Sequence, residues 1–380
     1  LQGDVGSGKT AVAVYALLGA VARGLQVAFM APTEVLARQH VRTLEALLDG
    51  SRVRIGRLVG GRRAKERTAL LAQVAEGEID VVVGTHAVIS DDVRFRDLGL
   101  VIVDEQHKFG VQQRRDLVAK GGTKAAWRRP HCLVMTATPI PRTLALTVWG
   151  DMDVSIIEGT IPGRTPVETW VVRPSEGRRV MQRVRGELAA GRQAYVIYPL
   201  VEESDKLALK DAHAGRERWA KALPDHAVGL LHGRLKRDEK QAVMEAFHAG
   251  DVHLLVATVV DEVGVDVPNA TVLVVEHAER FGLSQLHQLR GRIGRGTEGG
   301  LCVLVDRSRE ETPARLEVLA ADTDGFAIAE EDLKLRGVGD LFGKRQHGRP
   351  AFHAASLPRD LPLLLRCLLY TSPSPRDFSC

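Results

Sequence analysis

The chain has 380 residues, 44% hydrophobic and 26% charged, which allows two or three globular domains and excludes collagen-like, low-complexity and disulfide-scaffold classes. Its net charge of +4 is too mild to argue for nucleic-acid binding unaided, and no apolar run approaches the roughly 18 residues of a membrane helix. No signal-peptide pattern opens the sequence, and Cys132, Cys302, Cys367 and Cys380 lack zinc-site or disulfide-framework spacing, so a cytosolic enzyme is the expectation.

The first element in the chain is Gly3-Asp4-Val5-Gly6-Ser7-Gly8-Lys9-Thr10, a full match to G-x-x-x-x-G-K-[ST]. Its glycines let successive backbone N–H groups turn inward around an anion, where a Cβ would obstruct them. Lys9 would reach the β- and γ-phosphates, and Thr10 would offer its hydroxyl to Mg²⁺. The apolar run Ala11 to Leu18 predicts a helix whose N-terminus faces the phosphates. A nucleoside triphosphate and Mg²⁺ are therefore the expected cofactors. Only Leu1 and Gln2 represent the strand that should feed this loop, and there is no initiator Met, so a truncated beginning is expected.

Downstream, short β-branched runs alternate with helical patterns. Gln26 to Ala31, Asp80 to Gly84, Leu100 to Val103 and Leu133 to Ala137 read as buried strands, and Leu36 to Leu48 carries apolar residues at helical spacing. This alternation predicts an α/β lobe with a parallel sheet. Basic residues concentrate in Arg52 to Arg67 and Arg114 to Arg129, where a phosphate-tracking surface and an ordinary solvated face are both open. After Val154 to Ile157, the run Glu158 to Pro166 holds two prolines and two glycines, which is linker chemistry.

A second alternation follows, through Val167 to Val172, Ala194 to Tyr198, Val228 to Leu231, His253 to Ala257, Thr271 to Val275 and Leu301 to Val305. The expected organisation is lobe 1 over 1–157, a linker over 158–166, lobe 2 over 167–306 and a small, mostly helical segment over 307–366. Residues 367–380 change character abruptly and read as a non-native or disordered tail.

Three further stretches carry chemistry. The apolar run Leu100 to Val103 delivers Asp104-Glu105-Gln106-His107; an Asp at a strand end suits Mg²⁺ through its water shell, and the adjacent Glu suits orienting and deprotonating water. Thr136-Ala137-Thr138-Pro139 puts two hydroxyls where open α/β sheets present ligands. In the second lobe, Gln288 to Arg295 spaces Arg290, Arg292 and Arg295 between glycines, and Arg292 and Arg295 would reach a γ-phosphate as arginine fingers.

These motifs, in this order and across this linker, resemble those of the superfamily 2 helicases and translocases. Ala31-Pro32-Thr33-Glu34-Val35-Leu36-Ala37-Arg38-Gln39, Gly84-Thr85-His86, Thr136 to Thr143 and Leu231 to Lys236 are similar to the RecG family of bacterial branched-DNA translocases, over about residues 1–365. Transcription-repair coupling factors share part of the pattern, but Gln106, the run Tyr198 to Ser204 and Gly343-Lys344-Arg345-Gln346-His347-Gly348 are closer to RecG. Asp261, before Glu262-Val263-Gly264-Val265-Asp266, and Lys108 depart from the family pattern.

The resemblance implies two RecA-like P-loop lobes that close on ATP and ratchet along duplex DNA. It implies that Gly264 and Asp266 join the ATP site, and that Gln106, His107, Thr136, Thr138 and Gln288 couple nucleotide state to lobe movement. DNA contacts would come from Pro32, Thr33, Glu34, Thr85, His86 and Thr258, and from a hairpin near Arg345 and Gln346. The implied activity is fork regression and Holliday-junction branch migration by a monomer in the bacterial cytoplasm, with single-stranded-DNA-binding protein as a candidate partner. Two alternatives stay open: a coupling-factor motor, and a DNA-binding fragment without ATPase activity, because much of the first strand is absent.

Overall fold

In the computed structural model, which describes residues 1–59, 64–105, 130–136, 153–159, 165–199, 205–258, 267–296, 298–308 and 312–336, the apolar runs form parallel strands, the central ones buried on both faces. Strand β1 (Gln2–Gly3) leads into helix α1 (Lys9–Val21). Then follow β2 (Gln26–Met30), α2 (Glu34–Leu47), β3 (Ile55–Leu58), α3 (Ala64–Glu76), β4 (Val81–Gly84), β5 (Leu98–Val103), β6 (His131–Val134) and β7 (Ile156–Ile157). The main sheet runs β3-β4-β2-β5-β6, and β1 pairs with β7.

Side-chain alternation along β2 shows why a continuous apolar run is required here. Val27 and Phe29 pack with Ala13, Leu17 and Leu44 of α1 and α2, whereas Ala28 and Met30 pack with Leu70 and Val74 of α3. A strand covered on both sides accepts a polar side chain only where its hydrogen bonds are met, and each large apolar side chain so buried contributes about 1.5–3 kcal/mol.

The short β1 is seated from both sides. The Leu1 amine donates to the Val134 carbonyl at 2.7 Å, Gln2 bridges to Thr136, and the Gln2 N–H donates to the Ser155 carbonyl at 2.8 Å. These bonds fasten the start of the glycine-rich loop to β6 and β7.

Lobe 2 repeats the architecture with β8 (Val167–Val172), α4 (Gly177–Ala189), β9 (Gln193–Ile197), α5 (Asp205–Ala222), β10 (Val228–Leu231), α6 (Arg237–Ala249), β11 (Leu254–Ala257), β12 (Ala270–Glu276), α7 (Leu283–Arg290) and β13 (Gly300–Val305). Its sheet order is β10-β11-β9-β12-β13-β8, all parallel. Helices α8 (Ala314–Ala321) and α9 (Gly325–Arg336) follow, and Leu316, Leu319 and Ile328 join the lobe 2 core.

Both lobes use one device where a central strand begins. Gln26 donates its amide to the carbonyls of Val74 and Ile79 while its oxygen accepts from the N–H groups of Arg96 and Asp97. Gln193 likewise donates to Phe247 and Val252, and its oxygen accepts from the Asn269 amide. A buried amide is tolerated because its hydrogen-bonding groups are occupied.

Part of the basic run in lobe 1 braces the fold. Arg54 pairs with Asp80 at 2.8 Å and Arg67 with Asp92 at 2.7 Å, which favours the surface reading over phosphate tracking for these two. The run from Arg114 to Arg129 lies outside the described residues, as does the tail. Cys132 is exposed and Cys302 buried. Among the described residues no helix is long and apolar enough to cross a membrane.

Glu187 anchors the lower edge of lobe 2. Its buried carboxylate pairs with Arg192 at 2.8 Å and Arg183 at 3.2 Å and accepts from the Thr271 hydroxyl at 2.8 Å. Burial pushes its pKa up, but hydrogen bonds from Arg192 and Thr271, then the charges of Arg192 and Arg183, hold it below 4.5. The folded value being depressed, this stability is present above pH 4.5 and lost as pH falls through the folded value. Glu187→Gln is expected to cost about 1.5–3 kcal/mol at neutral pH. The deficit should shrink below pH 4.5 in denaturant titrations; a pH-independent deficit would contradict the assignment.

Candidate active site

Five strands of lobe 1 end along one edge of the sheet, and nearly every residue singled out in that lobe sits just beyond one of them. β1 delivers residues 4–8, β2 delivers Pro32, Thr33 and Glu34, β4 delivers Thr85 and His86, β5 delivers Asp104 and Glu105, and β6 is followed by Thr136. Parallel strands share a carboxyl edge, so residues distant in sequence are brought to one crevice.

The loop has the shape its glycines require. Gly6 and Gly8 have φ of 77° and 91°, and Gly8 is the N-cap of α1. Asp4, Val5 and Ser7 are partly buried within it, and Gly3 is buried where a Cβ would strike Ser7. The Lys9 ammonium folds back over the loop, donating to the carbonyls of Gly3 at 2.7 Å and Asp4 at 2.6 Å. Burial lowers its pKa and the Arg295 charge adds to that effect, while Glu105, Asp104 and Asp4 work in the opposite sense. Lys9 thus feels carboxylates of its own lobe and a guanidinium of the other.

Asp104 is fixed on three sides. Its N–H donates to the Met30 carbonyl at 2.9 Å, one carboxylate oxygen accepts from the Glu105 N–H at 3.1 Å, and the other meets Nε2 of His40 at 2.7 Å. Burial pushes this carboxyl up, but the His40 bond and charge, with Lys9, hold it below 3.8. Glu105 has φ of 53°, a left-handed conformation that costs a non-glycine residue about 1–3 kcal/mol and concentrates at functional sites.

From lobe 2, α7 ends at Gly291 and projects Arg292 and Arg295. Burial lowers the Arg292 pKa, as does Arg295, against Glu105, Tyr195 and Asp104. Arg295 donates Nε–H to the Gly291 carbonyl at 2.9 Å. Arg290 belongs to the scaffold: it is buried and bonds the carbonyls of Leu319 and Asp322 at 2.6 and 2.7 Å. The third arginine of the motif is therefore structural in this arrangement.

The remaining candidates divide by exposure. Thr10 lies in the first turn of α1, Thr136 is buried beside Gln2, and Gln288 is half-buried on α7. Pro32, Glu34 and Thr85 are partly open and His86 is exposed, whereas the Thr33 hydroxyl caps α2 by accepting from the Leu36 N–H. Thr258, expected to contact DNA, is 3% exposed. It follows β11, and its N–H bonds the Leu231 carbonyl. Gln106, His107, Thr138, Gly264, Asp266, Arg345 and Gln346 lie outside the described residues.

Two histidines were missed. His40 had no motif of its own, and His287 directly precedes the quoted arginine run; single histidines on helices carry no sequence signal for partners so far away. Among the described residues no group of three or more His, Cys, Asp or Glu side chains is placed to hold a metal. The Thr10 hydroxyl and Asp104 carboxylate are instead a hard-oxygen pair, which suits Mg²⁺ when phosphates and water complete its shell.

Comparison with known proteins follows this geometry. Residues 1–147 match the DEAD/DEAH box helicase family model and residues 179–297 the helicase conserved C-terminal domain. The ATP-dependent DNA helicase RecG of Aquifex aeolicus is 52% identical over 365 residues, covering 94% of this chain and 45% of that protein. That of Synechocystis is 50% identical over 367 residues, covering 96% of this chain and 43% of the relative. The chain belongs to the RecG family.

A solved structure of RecG bound to a three-way DNA junction superposes with a TM-score of 0.76 at 43% identity, covering 96% of this chain and 47% of that one. The two parallel-sheet lobes are therefore RecA-like helicase lobes, and the coupling-factor alternative is not favoured. This RecG-family chain spans about half the length of the curated relatives it matches.

Proposed function

We propose that this chain is the motor of a RecG-type enzyme that couples ATP hydrolysis to movement on duplex DNA. The observation that carries the reading is the meeting, in one crevice, of Lys9, Asp104 and Glu105 from lobe 1 with Arg292 and Arg295 from lobe 2. Lys9 exchanges the carbonyls of Gly3 and Asp4 for phosphate oxygens, and the loop N–H groups complete the cradle. Thr10 and Asp104 would hold Mg²⁺, which would neutralise phosphate charge. Glu105 takes the proton of the attacking water, and the two arginines bring positive charge only when the lobes are together.

The wider assignments belong to the same reading. Gly264 and Asp266 would line the nucleotide site, and Gln106, His107, Thr136, Thr138 and Gln288 would transmit its state. Pro32, Thr33, Glu34, Thr85, His86, Thr258, Arg345 and Gln346 would touch DNA. The substrates would be forks, Holliday junctions and duplex arms, handled by a monomer in the bacterial cytoplasm, with single-stranded-DNA-binding protein as partner. The division at 1–157, 158–166, 167–306 and 307–366 completes the proposal. ATP turnover compared across branched DNA, linear duplex and RNA tests it. Branched DNA should stimulate most and RNA least; equal or greater stimulation by RNA would overturn it.

A further inference from the structure

Asp4 joins the phosphate loop to the opposite lobe. One oxygen of its carboxylate accepts from the Val5 N–H at 2.6 Å and from His287 Nε2 at 2.6 Å, and the other faces the Gly325 N–H at 3.3 Å. His287 lies on α7 and is 5% exposed. Its other ring nitrogen, Nδ1, faces Nη2 of Arg290 at 3.0 Å. A guanidinium only donates, so Nδ1 carries the lone pair and Nε2 the proton. The imidazole is therefore a neutral donor aimed at Asp4, its tautomer set by an arginine that is itself tied to two carbonyls at the C-terminal end of α8.

The close approach depends on two residues without side chains. A Cβ on Gly325 would lie 2.7 Å from His287 Nε2 and 2.9 Å from Asp4 Cγ, and one on Gly291 would lie 2.6 Å from Val5 Cβ. Asp4 also acts through its backbone, because its carbonyl is one of the two that hold the Lys9 ammonium. The residue gripped by lobe 2 through its side chain thus grips the phosphate-loop lysine through its main chain. Burial pushes the Asp4 carboxyl up, but the hydrogen bond from His287 and the N–H groups of Val5 and Gly325 outweigh it.

We propose that His287 is a positioning residue for the phosphate loop: its single N–H fixes Asp4 when the lobes are closed, so that lobe 2 sets the loop's affinity for nucleotide. The proposal rests on the reading of residues 3–10 as a phosphate site. The test is the affinity of the full chain for a fluorescent non-hydrolysable ATP analogue with Mg²⁺, alongside the KM and kcat for ATP. His287→Leu should weaken binding about tenfold, the loss of one hydrogen bond to a charged group, and should raise KM more than it lowers kcat. His287→Gln, which can present an N–H from its side-chain end, should recover most of the affinity.

Asp4→Ala tests the same link from lobe 1, with every lobe 2 side chain left in place. It should weaken binding to a similar degree, and adding His287→Leu should cost little more, because the two residues act as one unit. If the unmodified chain binds the analogue and both single variants bind it equally well, the positioning role is wrong while the nucleotide site stands. If the unmodified chain binds no nucleotide, the phosphate-site reading fails and this proposal falls with it.

Discussion

Lys9→Ala is expected to lower DNA-stimulated ATP hydrolysis by at least about 10²–10³-fold, the scale for removing one pre-organised group that stabilises transition-state charge. The structure makes the loss specific. The ammonium is held by the carbonyls of Gly3 and Asp4 in the mouth of the loop, beside Asp104 and Glu105. Its methylene stem is not what holds the loop, whose curvature comes from Gly6 and Gly8 in the left-handed region. Burial lowers the Lys9 pKa, so the folded state binds this proton less tightly than the unfolded one, and the charge is a net cost to folding below the folded value. The variant should therefore unfold at the same temperature or higher while its turnover collapses. Phosphate release at saturating branched DNA, with thermal unfolding beside it, separates the two effects. Unchanged turnover would remove Lys9 from the site.

Much of this site is legible in the sequence because its pieces are local. The glycine loop and the carboxylate pair are contiguous motifs, and β2, β4 and β5 announce themselves as apolar runs because both sheet faces are covered. The edge of lobe 1 is harder to read. In β3, Ile55-Gly56-Arg57-Leu58, every second position is only partly buried, so no continuous run marks the strand. The polar start of α3 merges with the basic stretch before it, which hides both the helix and the pairing of Arg67 with Asp92. The contact of His287 with Asp4 spans 283 positions and exists only once two lobes have folded and met. Thr258 illustrates the opposite limit: a motif can place a residue at a strand end without showing that neighbouring strands bury it.

The arginines of lobe 2 carry the second large expectation. Arg292→Ala should lower kcat by about 10³-fold or more, as for other arginine fingers, with a much smaller change in nucleotide affinity. The reason is geometric: Arg292 lies near Glu105 and Asp104, where the proposed mechanism would develop charge, while the loop N–H groups and Lys9 would hold the ground-state phosphates. Arg292→Lys should not restore turnover, since a point charge on a flexible stem cannot reproduce a planar fork. Arg295→Ala should act in the same direction, and the double variant should cost less than the product of the two because both serve one transition state. Arg290→Ala is the contrasting case. Its guanidinium bonds the Leu319 and Asp322 carbonyls and His287, so its removal should lower the unfolding temperature and loosen α8 from α7. Single-turnover hydrolysis, analogue binding and thermal unfolding on the same set of variants distinguish the roles. A loss of stability with normal chemistry at Arg292, or of chemistry with normal stability at Arg290, would reverse the assignment and move the arginine finger one turn-end earlier in the helix.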